Sequence, residues 1–147
     1  MGHLPVLFAE VLEQLAIKKD GIYLDCTFGR GGHSEGILKC LGPEGRLLAL
    51  DRDAEAIDSD NAQILKKDKR FSLYRAPFSE LEKIVSKSRL TGQVDGILID
   101  LGVSSPQFDN PLRGFSFLRN GPLDMRMDIN NGYSAEQWLA GVDEKTL

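Results

Sequence analysis

The sequence predicts an α/β fold, a parallel sheet flanked by helices. Four short and almost wholly apolar runs alternate with segments of helical spacing, and that alternation is the mark of βα units. Strands of so little polarity suit a parallel sheet buried on both faces. Three of the four runs end in an acid, namely Asp25, Asp51 and Asp100. Such acids gather at the carboxyl edge of the sheet, where open α/β sheets take their ligands.

Each element has its own signal. Residues 5–17 carry Val6, Leu7, Val11, Leu12, Leu15 and Ala16 at helical intervals. After Gly21, Ile22-Tyr23-Leu24 reads as a strand, and residues 25–33 as a polar, Gly-rich turn. Residues 34–41 form a helix closed by Gly42-Pro43. Residues 46–50 are a second strand ending at Asp51, and 54–67 a helix with Asp53 as its N-cap. Residues 71–74 make a third strand. Ser79-Glu80-Leu81-Glu82 matches a capping box for a helix running to Ser88. Residues 94–99 are the fourth strand. From 101 to 133 neither period appears, and so long a structureless stretch in a compact domain is generally functional. Ser134-Ala135-Glu136-Gln137 opens a short helix through Leu139, and residues 143–147 read as a first helical turn. Trp138 reads as packing.

Composition excludes several classes. The 147 residues are 41% apolar and 27% charged, enough for a real core and too balanced for disorder. No run approaches the ~20 apolar residues of a membrane helix, and no basic-then-apolar secretory pattern opens the chain. Met1-Gly2 is no myristoylation signal, because position 6 is Val6. Cys26 and Cys40, with His3 and His33, are too few for a disulfide framework or a zinc site. The two cysteines read as small buried residues in a reducing, cytoplasmic setting. The net charge is −4, with 11 Lys/Arg against 12 Asp/Glu in residues 1–75 and 7 against 10 in 76–147. Neither half has the basic excess of nonspecific nucleic-acid binding, so any RNA contact needs a local patch.

The strongest motif is Asp25-x-x-x-Gly29-x-Gly31-Gly32, between a strand and a helix. Glycines let the backbone turn sharply and approach a ligand, and the helix start offers free N–H groups. Asp51, 20 residues beyond Gly31 at the end of the next strand, can accept hydrogen bonds from ribose hydroxyls. A dinucleotide fingerprint would need glycine where Ser34 stands. The acid four residues before the first glycine belongs instead to S-adenosylmethionine (SAM) sites, where it can face the methionine ammonium. Phe78 either flanks an adenine or staples the following helix. Asp100-Leu101-Gly102-Val103-Ser104-Ser105-Pro106-Gln107 is either a polar turn or the acceptor-rich turn that holds an exocyclic amino group. His33 is read as shaping the SAM site rather than as a base.

These residues resemble the bacterial 16S ribosomal RNA cytosine-N4 methyltransferases. The resemblance runs nearly end to end. It takes in His3 to Leu7 with Glu10-Val11-Leu12, Asp25 to Ser34, Leu50 to Asp53, and Phe78-Ser79-x-Leu81. It continues through Asp95 to Gln107, Arg113 to Phe117, and Gly121 to Asp128. It implies a Rossmann-like, SAM-dependent methyltransferase fold, with SAM contacts at Gly31, Gly32, His33, Asp51, Phe78, Asp100 and Gln107. It implies methyl transfer to the N4 of a cytidine in the decoding region of 16S rRNA, with S-adenosylhomocysteine as by-product. The small ribosomal subunit is the implied partner, with no membrane and no metal, and a homodimer for the full-length protein. Asp100 is the expected catalytic residue, orienting N4. Ser104, Ser105, Arg113, Phe115, Phe117 and Arg126 are the expected substrate contacts, by base stacking and phosphate binding. Packing of the aromatics, and pairing of the arginines with Asp109, Asp124 and Asp128, are the competing readings. A methyltransferase with another substrate, or a non-catalytic SAM-binding module, is the alternative function.

The familiar sheet of such enzymes has seven strands, against four here. The expected organisation is therefore an N-terminal portion of the SAM-binding domain over 1–133, then the start of a helical substrate-recognition insertion over 134–147. Alone, this chain is expected to bind SAM weakly or not at all.

Overall fold

The computed structural model describes residues 5–146; His3, Leu4 and Leu147 lie outside them. It divides into two compact units, Met1–Leu101 and Gly102–Leu147. The first contains α1 (Phe8–Leu15), β1 (Ile22–Asp25), α2 (Gly32–Cys40), β2 (Arg46–Asp51), α3 (Ala54–Ile57) and α4 (Asp60–Leu65). It continues with β3 (Phe71–Arg75), a 3₁₀ turn at Phe78–Glu80, α5 (Leu81–Lys87) and β4 (Gly96–Leu98).

All strand pairs are parallel and the order is β3-β2-β1-β4. The chain winds outward from β1 through β2 to β3, then returns to place β4 on β1's other side. The strand order thus reverses between β1 and β4, the position where open α/β sheets form a ligand crevice. Strand period divides the core between the two faces. Tyr23, Leu47, Ala49 and Phe71 pack with Ile37, Leu38, Ala62 and Leu65 of α2 and α4. Leu24, Leu48 and Leu50 pack with Ile84 of α5 and with Leu90. The sheet with helices on both faces is as the sequence predicts.

The differences are local. The single helix expected over 54–67 is two, because the Ser59 side chain accepts from the Ala62 N–H and starts α4 afresh. Asp53 does cap α3, accepting from the Glu55 N–H at 3.0 Å. No side-chain cap forms at Ser79 or Glu80; the 3₁₀ turn leads into α5 instead. The fourth strand is three residues rather than six. It is an edge strand, and Ile97 and Ile99 remain half exposed. Asp95 fastens its start, accepting from Lys18 Nζ at 2.6 Å and the Ile22 N–H at 3.0 Å. Cys26 is buried as expected, whereas Cys40 is exposed at the end of α2.

The second unit holds α6 (Ser105–Asp109), a 3₁₀ turn at Pro111–Arg113 and α7 (Ala135–Gly141). The stretch expected to be structureless therefore starts with a helix. Ser104 and Gln107 form its capping box, and Pro106 sits in its first turn, where a missing N–H costs nothing. The capping box expected at Ser134 forms, with Gln137 as its partner. Beyond it Asp143 accepts from the Thr146 N–H in a single turn. Trp138 is half exposed, against the expectation of packing.

Candidate functional site

The polar end of β1 and its loop carry the first part of the site. Asp25 is fully buried. Its carboxylate accepts from Ser34 Oγ at 2.6 Å and from the Thr27 N–H at 3.1 Å. Burial pushes its pKa up, opposed by those two hydrogen bonds. Asp25 thus ties β1 to α2 and is occupied by the loop, which corrects the expectation that it faces a ligand's ammonium.

The loop then lies across the top of β2. The Phe28 N–H donates to the Leu50 carbonyl at 2.9 Å, and the Gly29 N–H to Asp51 Oδ2 at 2.7 Å. Gly31 has φ 78°, and a Cβ there would lie 2.7 Å from the Phe28 ring and 2.9 Å from the Asn61 amide. Only glycine meets both demands, conformation and space. Gly32 begins α2, whose first N–H groups lack intrahelical acceptors.

Asp51 is partly buried at the end of β2. Its Oδ1 accepts from the Asp53 N–H at 2.9 Å, and its Oδ2 holds Gly29. Burial raises its pKa, again against its backbone donors. Each carboxylate oxygen retains acceptor capacity beyond one N–H, so Asp51 can both shape the loop and receive hydroxyl donors.

His33 is the least satisfied group of the unit. Only 7% of it is exposed, and neither ring nitrogen has a hydrogen-bond partner among the described residues. Phe8 stacks on the ring, centroids 6.0 Å apart. Nε2 lies 3.7 Å from Asp100 Oδ2, beyond hydrogen-bond distance. Buried polar groups are normally paired, so among the described residues this imidazole stands out as a buried group without a hydrogen bond.

Asp100 differs from the other two strand-end acids. Its backbone N–H donates to Thr27 Oγ1 at 2.8 Å, which fixes the residue to the β1 loop. Its carboxylate is 51% exposed. Of the three, it is the one whose side chain is not taken up by loop N–H groups. Phe78, in the 3₁₀ turn beyond β3, is 49% exposed. That favours an aromatic presented outward over a staple buried against α5. Gly31, Gly32, His33, Asp51, Phe78 and Asp100 thus all stand at the carboxyl end of the sheet. Thr27 and Ser34, which sequence reasoning did not single out, hold this edge together. Their signal was present, two hydroxyl residues flanking the glycines.

The remaining predicted residues belong to the second unit. Gln107 is buried, and its Oε1 accepts from the Ser104 N–H at 2.8 Å, so its amide oxygen serves the α6 cap. Ser104 is the N-cap and Ser105 the first helical residue. Arg113 is 2% exposed, and Nη2 donates to the carbonyls of Arg126 and Met127 at 3.2 and 3.0 Å. Its expected role as a phosphate contact is therefore corrected, because the guanidinium points inward and holds its own loop. Arg126 pairs side-on with Asp124 at 3.0 and 2.7 Å, and that pairing holds the Asp124 carboxyl below the usual range. This is the ion-pair reading of Arg126, not the phosphate one. Phe115 is partly buried, whereas Phe117 is 95% exposed. Among the described residues no group of three metal-ligating side chains occurs, and no helix is long and apolar enough to cross a membrane.

Known proteins similar to this chain are ribosomal RNA methyltransferases by name. The ribosomal RNA small subunit methyltransferase H of Methylococcus capsulatus is 59% identical over 141 residues, 96% of this chain and 47% of that protein. The protein of the same name from Pseudoalteromonas atlantica is 57% identical, over 99% of this chain and 46% of its own length. The chain spans about half the length of the curated relatives it matches. A solved rRNA methylase from Streptococcus thermophilus is similar with a TM-score of 0.45 and 19% identity, over 57% of this chain and 51% of that one. The sequence also matches the MraW methylase family from residue 1 to residue 147. With the parallel sheet, the glycine loop and the strand-end acids, that match shows that the chain belongs to the MraW methylase family, methyltransferases of Rossmann-like fold.

Proposed function

We propose that the protein transfers a methyl group from SAM to the exocyclic N4 of a cytidine in the decoding region of 16S rRNA. The observation that carries this reading is the gathering of the glycine loop, Asp51, His33 and an open Asp100 where the strand order reverses. The names of the relatives support ribosomal RNA of the small subunit as substrate.

The residues present fit SAM. Asp51 has acceptor capacity for ribose hydroxyls beside the loop it anchors. Phe78 offers an exposed ring to flank an adenine. Gly31, Gly32 and His33, whose ring nitrogens make no hydrogen bond among the described residues, frame the same edge. Gln107, in the second unit, is separately a proposed cofactor contact. When bound, SAM supplies an electrophilic methyl on a sulfonium.

The chain's contribution to the reaction is positioning. Cytosine N4 is a weak nucleophile because its lone pair is delocalised into the ring. Holding it in line, about 3 Å from the methyl, is the large catalytic contribution. Asp100 suits this task. Its backbone is fixed through Thr27, and its half-exposed carboxylate can accept an N–H of the amino group and stabilise the positive charge that develops there. Ser104, Ser105 and Phe115 are the proposed substrate contacts of the second unit.

The test uses the protein at the length at which the cell makes it. It is given SAM with either unmodified small ribosomal subunits or free nucleosides, and digests are analysed for N4-methylcytidine. Product on subunits alone, lost in Asp100→Asn, is the expected result. Methylation of free nucleosides only, or an unchanged Asp100→Asn, would overturn it.

A further inference from the structure

We propose that Phe117, at the tip of the loop between Gly114 and Gly121, is a stacking wedge that inserts beside a base of the RNA. This rests on the RNA substrate proposed above and deepens the stacking expected of Phe117, by naming the space that the ring fills.

The loop is a projection with a closed stem. At its first end, Gly114 has φ 75°, and a Cβ there would lie 2.5 Å from the Pro122 carbonyl oxygen. At its second end, a Cβ on Gly121 would lie 2.0 Å from the Pro111 carbonyl oxygen. The two ends are therefore pressed against backbone on both sides. Below them the Met125 N–H donates to the Arg113 carbonyl at 3.0 Å, and the buried Arg113 guanidinium grips the carbonyls of Arg126 and Met127. Within the tip, the Leu118 N–H donates to Ser116 Oγ at 3.3 Å.

What this stem holds out is apolar and flat. Phe117 is 95% exposed and Leu118 73%. Leaving a ring of this size in water forgoes about 1.5–3 kcal/mol of burial. The stem is held by these contacts, while the ring at its tip stands in water. Beside it, Arg119 donates to the Asp109 carbonyl oxygen. That partner is neutral, and among the described residues no carboxylate pairs with the guanidinium.

An aromatic ring and an aliphatic neighbour flanked by an uncancelled cation is the chemistry of a nucleic-acid wedge. Apolar side chains enter between base steps, rings stack on exposed bases, and arginine meets the backbone. The reaction supplies the reason for one. An amino group inside a base stack cannot reach a methyl donor, so the target base must leave the stack. A flat side chain that occupies the space left behind compensates for the lost stacking. A second copy of this chain is the competing occupant, and it would not need a planar ring.

The test measures binding of a short single-stranded RNA containing 2-aminopurine to the protein at its cellular length. Phe117→Ala is expected to weaken binding by about 5- to 150-fold, the equivalent of about 1–3 kcal/mol of stacking. It should also remove the quenching of 2-aminopurine. Phe117→Trp should keep both, whereas Phe117→Leu, apolar but not planar, should behave as the alanine variant. Unchanged amide shifts of residues 29–33 would show that the variants are folded. Wild-type affinity in Phe117→Ala or Phe117→Leu would overturn the wedge. So would a dimer that Phe117→Ala converts to monomer. A wild-type protein that transfers no methyl to small subunits would overturn the proposed function instead, and is scored separately from RNA stacking.

Discussion

The two units of the chain are held by different physics. Met1–Leu101 buries aliphatic and aromatic side chains on both faces of its sheet. In Gly102–Leu147 the buried residues, among those described, are Gln107 and Arg113, both polar. One unit is stabilised by apolar area removed from water. The other is organised by an arginine on backbone carbonyls, two capping boxes and the Asp124–Arg126 pair. The first arrangement gives a rigid edge on which a cofactor can be placed. The second leaves Phe117, Leu118, Leu112 and Tyr133 in water, surface suited to meeting another macromolecule.

The difference can be broken from either side. Ile37 is completely buried in the first unit, so Ile37→Ala should cost about 2–5 kcal/mol in denaturant unfolding. A cost below 1 kcal/mol would mean that the sheet core is not what holds that unit. Next in size, Asp51→Asn weakens an acceptor that anchors the loop through Gly29 and Asp53. Affinity for S-adenosylhomocysteine should fall by about 12- to 150-fold, the equivalent of about 1.5–3 kcal/mol for hydrogen bonds to a charged group. Unchanged titration calorimetry would remove Asp51 from the site. Arg113→Ala strands two carbonyls and should cost about 1–3 kcal/mol. That loss should appear as faster hydrogen exchange at the Met125 amide, with β1 and β2 amides unaffected; equal acceleration in both units would contradict their separation.

The smallest effect concerns pH. Burial raises the native pKa of Asp25 above its usual 3.8, so above that native value the buried ionised form disfavours folding. As pH falls through the raised value toward 3.8, wild type should gain stability relative to Asp25→Asn, with the gain complete below the unfolded value. Loss of wild-type stability relative to the variant over that window would mean that the carboxylate is stabilised by its donors more than it is penalised by burial.

The first unit was largely legible in the sequence because its apolar runs report burial directly. The continuous run from Leu47 to Leu50 is a strand buried on both faces. The second unit has little apolar burial to report, so its order was invisible to period-based reading. The Ser104–Gln107 box was available and was missed beneath a motif already read as functional. Arg113 shows the same limit from the other direction. An arginine in a glycine-rich loop looks like a phosphate contact, and only the fold reveals the carbonyls that claim it. Asp25, Asp51 and Asp100 were rightly grouped at one edge, but sequence could not rank them. Their burial does, with Asp25 sealed, Asp51 shared with the loop and Asp100 open.

The central claim is that the cofactor site is built on the sheet edge of Met1–Leu101. Titrating S-adenosylhomocysteine into isotope-labelled protein at its cellular length and following backbone amide shifts tests it directly. The account predicts shifts concentrated at Gly29, Gly31, Gly32, His33, Asp51, Phe78 and Asp100, with residues 114–121 unmoved. Saturable shifts confined to residues 102–146, or none anywhere, would contradict it.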